Sequence, residues 1–286
     1  MIPRLSYTAL VAVAGLCCAT SLPGQATKVE FPSPSPTCTL KQRVGLTDIE
    51  IVYSRPGVKE RTIFGGLIPY GQVWRTGANA STKISFSGPV KLNGNDVPAG
   101  KYALYTIPGE KEWTIILSKN LESSVFNYDK KDDLVRFKTE PVEVAEHVET
   151  FTMDLTDIRD ESAMLYLMWD KTLVPIQMEA PLTEKVVKQI EDVMAGEGGQ
   201  KPYYQAAMFY YDHGQDLQKA RKWIEAASAK NETYYIMHLQ AKILAKVGDK
   251  EKAIAAAKRS SELAVKAEGP KSGYVKMNDD LISSLQ

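Results

Sequence analysis

Net charge is the first thing that this chain of 286 residues lacks. Its 35 Lys and Arg residues balance its 35 Asp and Glu residues, and no basic stripe stands out along the sequence. A protein without such a positive field has little to attract a phosphate backbone. We therefore expect no binding of nucleic acid.

Histidine and cysteine are scarce as well, with three residues of each. His147, His213 and His238 do not have the spacing of metal ligands, so the sequence predicts no metal site and no cofactor. It also has no G-x-S-x-G nucleophile motif and no phosphate-cradling glycine loop that ends in Lys-Ser or Lys-Thr. The sequence therefore assigns no catalytic residue.

Long apolar runs are missing except near the N-terminus. There Arg4 precedes an apolar run that is followed by Pro23, Gly24 and small residues. This order is typical of a secretory signal peptide, and we predict that residues 1–26 are removed by a cut near Ala26. The run is shorter than the ~20 residues of a membrane span, so we expect an exported mature chain without one, in the periplasm or outside the cell. An uncleaved N-terminal anchor is the alternative. A lipoprotein is a third option, although neither Cys17 nor Cys18 follows the small residue that lipoprotein processing prefers.

The rest of the first half predicts strands. Residues 27–40 include "FPSPSP" and are predicted to be a Pro/Ser-rich tether. In residues 41–180, apolar residues alternate in "TDIEIVYSRP" and "STKISFSGPVKLNG", the latter with a turn at Asn93-Gly94. No long helical pattern separates these runs from later ones such as "AMLYLMWDKTLVPIQME". We therefore predict an antiparallel β-sandwich or barrel-like domain.

After Pro181 the apolar period changes to that of a helix, so residues 181–286 are predicted to form an all-α domain. "LTEKVVKQIEDVMAGEGG" predicts a helix with Thr183 as its N-cap. The pairs Gly214/Asp216 and Gly248/Asp249 each predict the end of one helix and the start of the next, about 34 residues apart. This period is typical of tetratricopeptide repeats, and an ordinary helical bundle is the alternative. The chain as a whole is predicted to be α+β.

Residues 53–120 carry a resemblance. "PYGQVWRTGAN" followed by "VPAGKYALYTIPG" is long and unusual in composition, and the similarity continues through "YDKKDDLVRF" to "LYLMWDKTLVPI". Over about residues 41–178 the chain resembles the DUF2911 family of exported bacterial proteins of unknown function, among which a helical tail is common. The resemblance implies an exported β-rich domain and supplies no catalytic residue.

One irregular stretch, "VWRTGANAST" at residues 73–82, concentrates polar groups next to flat side chains. The candidate ligand-binding residues are Tyr70, Trp74, Arg75, Asn79 and Thr82. Arg75 has a rigid fork of N–H groups that suits a carboxylate or phosphate, and the aromatic rings suit a sugar. A structural interpretation, which we favour for this stretch, competes with this one, because Arg75 could clamp loop carbonyls and Asn79 could hold a turn.

Two classes of function follow from these patterns. In the first, which we favour, the protein is a non-catalytic module of the cell envelope. Its β domain binds a polar small molecule or glycan, and its repeats bind a protein partner. In the second, the β domain is a hydrolase or isomerase with its site around Arg75. An enzyme would place Arg75 beside an acid or base such as Glu50, Asp129 or His147 in a concave pocket.

Overall fold

The computed structural model describes residues 30–286, and the predicted signal peptide lies outside the described residues. Strands fill the first part of this range and helices the second. The strands are β1 (Thr37–Val44), β2 (Thr47–Ser54), β3 (Thr82–Phe86), β4 (Val90–Leu92), β5 (Asn95–Val97), β6 (Gly100–Ile107), β7 (Trp113–Ser118), β8 (Asp133–Thr139), β9 (Val142–Thr156) and β10 (Ser162–Glu179). The helices are α1 (Thr183–Ala195), α2 (Tyr203–Asp212), α3 (Leu217–Lys230), α4 (Tyr234–Lys246), α5 (Lys250–Glu268) and α6 (Gly273–Leu285).

The strands form two antiparallel sheets. The larger sheet has the order β1-β2-β3-β6-β7-β8, and the smaller has the order β5-β4-β10-β9. Buried residues of both sheets join in one hydrophobic core, which makes the arrangement a sandwich. Neither sheet closes on itself in the described chain, so the barrel-like alternative is not what these strands form. The predicted α+β layout, with strands followed by helices, is confirmed.

Alternation and turn chemistry explain the hairpins. In β2, Ile49, Ile51 and Tyr53 all face the core, as their period of two predicts. Asn93 and Gly94 have φ values of 44° and 75°, which suits the two-residue turn between β4 and β5. The local sequence therefore sets the register of these strands.

The centre of the sandwich is aromatic. Trp74 stacks on Trp169 with ring centroids 5.7 Å apart, and Trp113 lies edge-on to Phe64 at 4.8 Å. Phe151 completes the cluster, 5.1 Å from Trp74. Rings of this size bury much apolar area, and they pin loop residues as well as strands to the core.

The first strand begins earlier than the predicted domain boundary at Lys41. β1 starts at Thr37, which pairs with Ser54 of β2, and Cys38 and Leu40 pack against the core. Residues 37–40, which were predicted as tether, therefore belong to the sheet. The physical reason is that the Pro-rich run ends at Pro36, after which every residue can donate to a strand ladder.

From α2 to α6, each helix packs against the next one in the chain. Gly214 and Gly248, with φ of 62° and 85°, end α2 and α4 where the sequence predicted helix ends. Asp216 is the N-cap of α3 and accepts from the backbone N–H groups of Gln218 and Lys219. Six alanines of the helices are fully buried: Ala207, Ala220, Ala241, Ala253, Ala257 and Ala264. None of the described helices is both long enough and apolar enough to span a bilayer.

The cap of α1 differs from the prediction. Thr183 is the first helical residue rather than the N-cap, and the capping acceptor comes from Glu161, in the loop between β9 and β10. One carboxylate oxygen of Glu161 accepts from the N–H groups of Leu182 and Thr183 at 2.7 and 2.6 Å, and from the Thr183 hydroxyl at 2.8 Å. A residue of the β domain therefore fixes the start of the helical region.

Candidate functional site

The stretch at residues 73–82 is a loop attached to the edge of β6. Trp74 and Thr106 exchange two backbone hydrogen bonds, and the N–H of Thr82 donates to the carbonyl of Arg75. Thr76 and Asn79 have φ values of 52° and 58°, a region that non-glycine residues rarely adopt. The stretch is therefore irregular, as its sequence predicted, and it is held by hydrogen bonds at both ends.

Two of the predicted site residues lie in the interior. Trp74 is 5% exposed, and its indole N–H donates to the carbonyl of Gly77 at 3.0 Å. Thr82 is 0% exposed, because it opens β3 facing inward, and its hydroxyl donates to the carbonyl of Thr76 at 2.6 Å. Both side chains stabilise the loop, and Thr82 is not in contact with solvent.

Arg75 and Asn79 lie nearer the surface and hold the loop together. One Nη of Arg75 donates to the carbonyl of Asn79 at 2.6 Å. The amide of Asn79 donates to the carbonyl of Ser35 and the hydroxyl of Ser54, each at 3.3 Å. Asn79 therefore connects the N-terminal segment to β2. Arg75 donates one of its guanidinium N–H groups to the loop backbone.

A hollow of about 490 Å³ opens beside this loop, and we call it the Arg75 cavity. Of the five predicted site residues, Trp74, Arg75 and Asn79 line it, whereas Tyr70 and Thr82 do not. Its other lining residues are Pro34, Ser35, Pro56, Gly57, Lys59, Arg61, Leu67, Ile68, Gly77, Ala78 and Trp169. The cavity therefore brings an apolar wall and polar groups together.

Tyr70 belongs to a different hollow. It is 40% exposed and lines a space of about 430 Å³ together with Glu110, Glu143 and Asp170. Its ring lies so close to Gly65 that a β-carbon there would come within 2.7 Å of it. The expected grouping of Tyr70 with Arg75 is therefore not formed.

Sequence reasoning did not find Lys59, Arg61 and Trp169 as residues of this cavity. Lys59 and Arg61 stand in a turn after β2, and Trp169 lies in β10, far along the chain. No motif joins them. The one local signal was Pro56-Gly57, which marks a turn but not the direction in which the cations after it point.

A smaller hollow of about 280 Å³ lies on the other side of Arg75 and Asn79. Lys83 donates through Nζ to the hydroxyl of Ser81 at 2.6 Å and also to the carbonyl of Leu121. Burial lowers the pKa of Lys83. The Ser81 hydroxyl in turn donates to the carbonyl of Ser123 at 3.2 Å.

The three acid or base candidates lie apart from the Arg75 cavity. Glu50 pairs with Lys41 at 2.7 Å on the outer face of the larger sheet. Asp129 accepts from the N–H of Lys131 in a 3-10 turn that leads into β8. His147 lies between Asp170 and Glu149, at 3.0 and 3.3 Å. None of these three lines the Arg75 cavity.

The two helical histidines have structural contacts. His213 stacks on Phe209 at 3.9 Å and its Nδ1 lies 3.0 Å from the carbonyl of that residue. His238 contacts the amide oxygen of Asn278 at 2.7 Å, and burial lowers the pKa of this histidine. Within residues 30–286, no three His, Cys, Asp or Glu side chains are grouped as a metal site would need.

Comparison with known proteins gives a family but no activity. The model of the family described as "Protein of unknown function (DUF2911)" matches residues 35–178, which include all ten strands except the last residue of β10. No curated protein matches the chain significantly.

Proposed function

From the premise that the chain belongs to the DUF2911 family, whose function is unknown, we propose that it is an exported binding module of the cell envelope. In this proposal the β domain binds a polar small molecule or glycan in the Arg75 cavity, and the helical region binds a protein segment. Catalysis is not part of the proposal.

The Arg75 cavity is the observation that carries the proposal. It combines a guanidinium with unused N–H groups, the Asn79 amide and the edge of the Trp74 ring around a volume suited to a small organic molecule. Its lining residues include no carboxylate, histidine or cysteine, so it offers binding groups without a general acid, base or nucleophile apart from Lys59 and Ser35.

Melting curves of the purified protein against a panel of glycans and metabolites test the binding role. A ligand that binds the folded state and not the unfolded chain raises the melting temperature, and the rise grows with the ratio of ligand concentration to Kd. We expect at least one stabilising compound, with the shift lost in Arg75→Ala and kept in Lys111→Ala, an exposed cation in the turn between β6 and β7. A panel without any stabilising member, or shifts that survive Arg75→Ala, would count against the cavity.

Export is proposed from the N-terminal pattern alone. Sequencing the N-terminus of the protein purified from its native host is the direct test. A start close to Thr27 supports export, and an intact Met1 or a lipid-modified Cys17 contradicts the predicted cut.

The role of the helical region is proposed from a line of tyrosines on α2, α4 and α6. Tyr204 lies edge-on to Tyr235 at 5.3 Å, and Tyr234 lies edge-on to Tyr274 at 4.8 Å. Tyrosine offers apolar area together with a hydroxyl, which is why interfaces are rich in it. Peptides selected on the purified protein should lose binding in Tyr235→Ala and keep it in Lys111→Ala. If selected peptides do not depend on the tyrosines, the surface is structural.

A hydrolase is the second candidate, and the contact between Ser81 and Lys83 favours it. A lysine amine whose pKa is lowered by burial can take the proton of a serine hydroxyl as the oxygen attacks a carbonyl carbon. A fluorophosphonate probe tests this directly. Labelling of the wild type and of Ser87→Ala, with none in Ser81→Ala or Lys83→Met, would replace the binding proposal by an enzymatic one. Absence of labelling in the wild type removes the serine hydrolase.

A further inference from the structure

The Arg75 cavity has an unbalanced charge. Lys59, Arg61 and Arg75 line it, and none of its lining residues is acidic. Over the whole chain, basic and acidic residues are equal in number, so this local excess is not a consequence of composition. The hollow beside Tyr70 shows the contrast, because its one cation, Lys171, faces three carboxylates. Positive charge is therefore concentrated at one cavity of the sandwich.

The cations keep donors available. Arg61 donates from Nε and Nη2 to the carbonyls of Val58 and Gly57 at 3.0 and 2.6 Å, and Arg75 donates from Nη1 to Asn79. Each guanidinium has five N–H groups, so these contacts orient both forks and leave the remaining groups free to bind.

The carboxylate of Glu149, close to the turn that carries Lys59, is engaged in other contacts. One oxygen of Glu149 accepts from the backbone N–H of Lys59 at 3.0 Å, and the other lies 3.3 Å from His147. Glu149 is not among the lining residues of the cavity, and these two contacts hold the pKa of its carboxylate below the usual value. Glu149 therefore fixes the backbone of the turn without lining the cavity.

The backbone that carries these groups is strained. Lys59 and Asn79 line the cavity with φ values of 47° and 58°, and Glu60 and Thr76, beside them, have 59° and 52°. Such conformations cost free energy and are retained chiefly where the surrounding structure needs them. Both loops of the cavity are thus held in unusual shapes.

The remaining wall is apolar and includes one polar atom without a partner. Pro56, Leu67 and Ile68 line it together with the stacked rings of Trp74 and Trp169. The indole N–H of Trp169 is buried and has no acceptor among the described residues, whereas that of Trp74 donates to a carbonyl. Buried donors are rarely left unpaired, which makes this N–H an exception within the core of the sandwich.

We propose that the Arg75 cavity is an anion site, in which Lys59, Arg61 and Arg75 bind the carboxylate or phosphate of an organic molecule whose apolar part packs against the indole wall. The inference rests on the proposed binding function and narrows its ligand to an organic oxyanion. A carboxylate and a phosphate monoester share the chemistry that a guanidinium fork recognises, and the experiment separates them.

Isothermal titration calorimetry of the full chain with three phenyl compounds tests the charge requirement. The probes are phenyl phosphate, benzoate and the neutral phenyl glucoside. We expect one or both anions to bind at least about tenfold more tightly than the glucoside, and to weaken as ionic strength rises. Binding of phenyl phosphate alone identifies a phosphate ligand, and binding of benzoate alone identifies a carboxylate.

Variants locate the binding and separate it from folding. Lys59→Ala, Arg61→Ala and Arg75→Ala should each weaken the anion about tenfold, Arg75→Lys should weaken it less, and Lys111→Ala should leave it unchanged. Melting curves confirm that each variant is folded. If the glucoside and the anions bind equally well and Arg75→Ala abolishes the binding of all of them, the anion inference is overturned and the proposed binding function is kept. No heat from any probe overturns the inference, and a metabolite panel without hits then overturns the function too.

Discussion

The cores of the sandwich and of the helical region are packed with different side chains. The sandwich centres on a cluster of large rings such as Trp74, Trp113 and Trp169. The helical cores bury fewer rings, Tyr210 and Trp223, beside small residues such as Ala207. Strain follows the same division. Every described non-glycine residue with positive φ lies before α1. After α1, only glycines have positive φ among the described residues. In the sandwich, large rings and strained loops surround a cavity whose polar walls are fixed. In the helical region, small alanine side chains allow the helices to pack closely.

Removing a central aromatic side chain should have the largest effect on stability, and the sandwich is the part that it should destabilise. Trp113→Ala deletes a side chain that contacts Phe64 and Trp74, and we expect it to lower the free energy of unfolding by about 3–5 kcal/mol. Phe126→Ala is the control, because Phe126 is 90% exposed and its removal should have little effect. Circular dichroism melting measures both, and equal losses would mean that the aromatic cluster does not carry the stability of the sandwich.

The complementary change enlarges a side chain in the helices. Ala253 is fully buried in α5, and Ala253→Leu should cost about 1–3 kcal/mol because there is no space for the added carbons. Ala255→Leu, on the exposed face of the same helix, should be close to neutral. Chemical unfolding followed by helical circular dichroism compares them. If Ala253→Leu were as stable as wild type, the close alanine crossing would be refuted.

The link between the halves should contribute less. Glu161→Ala removes the acceptor for the first N–H groups of α1, and we expect a loss of about 1–2 kcal/mol, with Glu197→Ala near zero. Two separate unfolding transitions in Glu161→Ala would sharpen the account, since they would show that the sandwich and helices then unfold independently. An unchanged curve would show that other contacts set the start of α1.

The same carboxylate predicts a pH dependence. Partial burial raises the pKa of Glu161, but the hydrogen bonds from Leu182 and Thr183 outweigh it and hold the pKa below its usual value. The stabilisation is therefore complete above the usual pKa of a glutamate and is lost as pH falls through the lowered value. The difference in stability between wild type and Glu161→Ala should shrink over that acidic range. A difference that grows with acid would contradict the assigned sign.

The smallest effect on stability is expected at Arg75. Its side chain makes one hydrogen bond to a loop carbonyl near the surface, so Arg75→Ala should cost about 1 kcal/mol or less. A loss of about 3 kcal/mol would instead indicate a clamp on which the fold depends. Thermal melting without ligand distinguishes these outcomes.

The hairpins and helix ends could be predicted because their signals are local. Asn93-Gly94 specifies its turn, and Gly214 and Gly248 end their helices, within a few residues of sequence. The cap of α1 could not be predicted in this way, because Glu161 belongs to a hairpin that precedes the helix. A side chain supplied by tertiary contact replaced the local candidate, Thr183.

The candidate site could be predicted only in part, because only some of its residues are close together in the sequence. The irregular loop with Arg75 and Asn79 was visible, but the inward direction of Thr82 and the burial of Trp74 depend on how the loop joins β3 and β6. Lys59, Arg61 and Trp169 come from other elements. Residues that converge only after two sheets have packed carry no common pattern in the sequence.

The indole signals in a proton–nitrogen correlation spectrum test the anion site most directly. The chain has four tryptophans. Trp169 lines the Arg75 cavity with an unpaired N–H, and Trp223 lies in α3 as an internal reference. On titration with the anion that binds in calorimetry, phenyl phosphate or benzoate, we predict that the Trp169 signal shifts progressively in wild type and not in Arg75→Ala. The signal is assigned with Trp169→Phe, and the Trp223 signal stays fixed. A saturating shift of Trp223 with no movement of Trp169 would contradict the account.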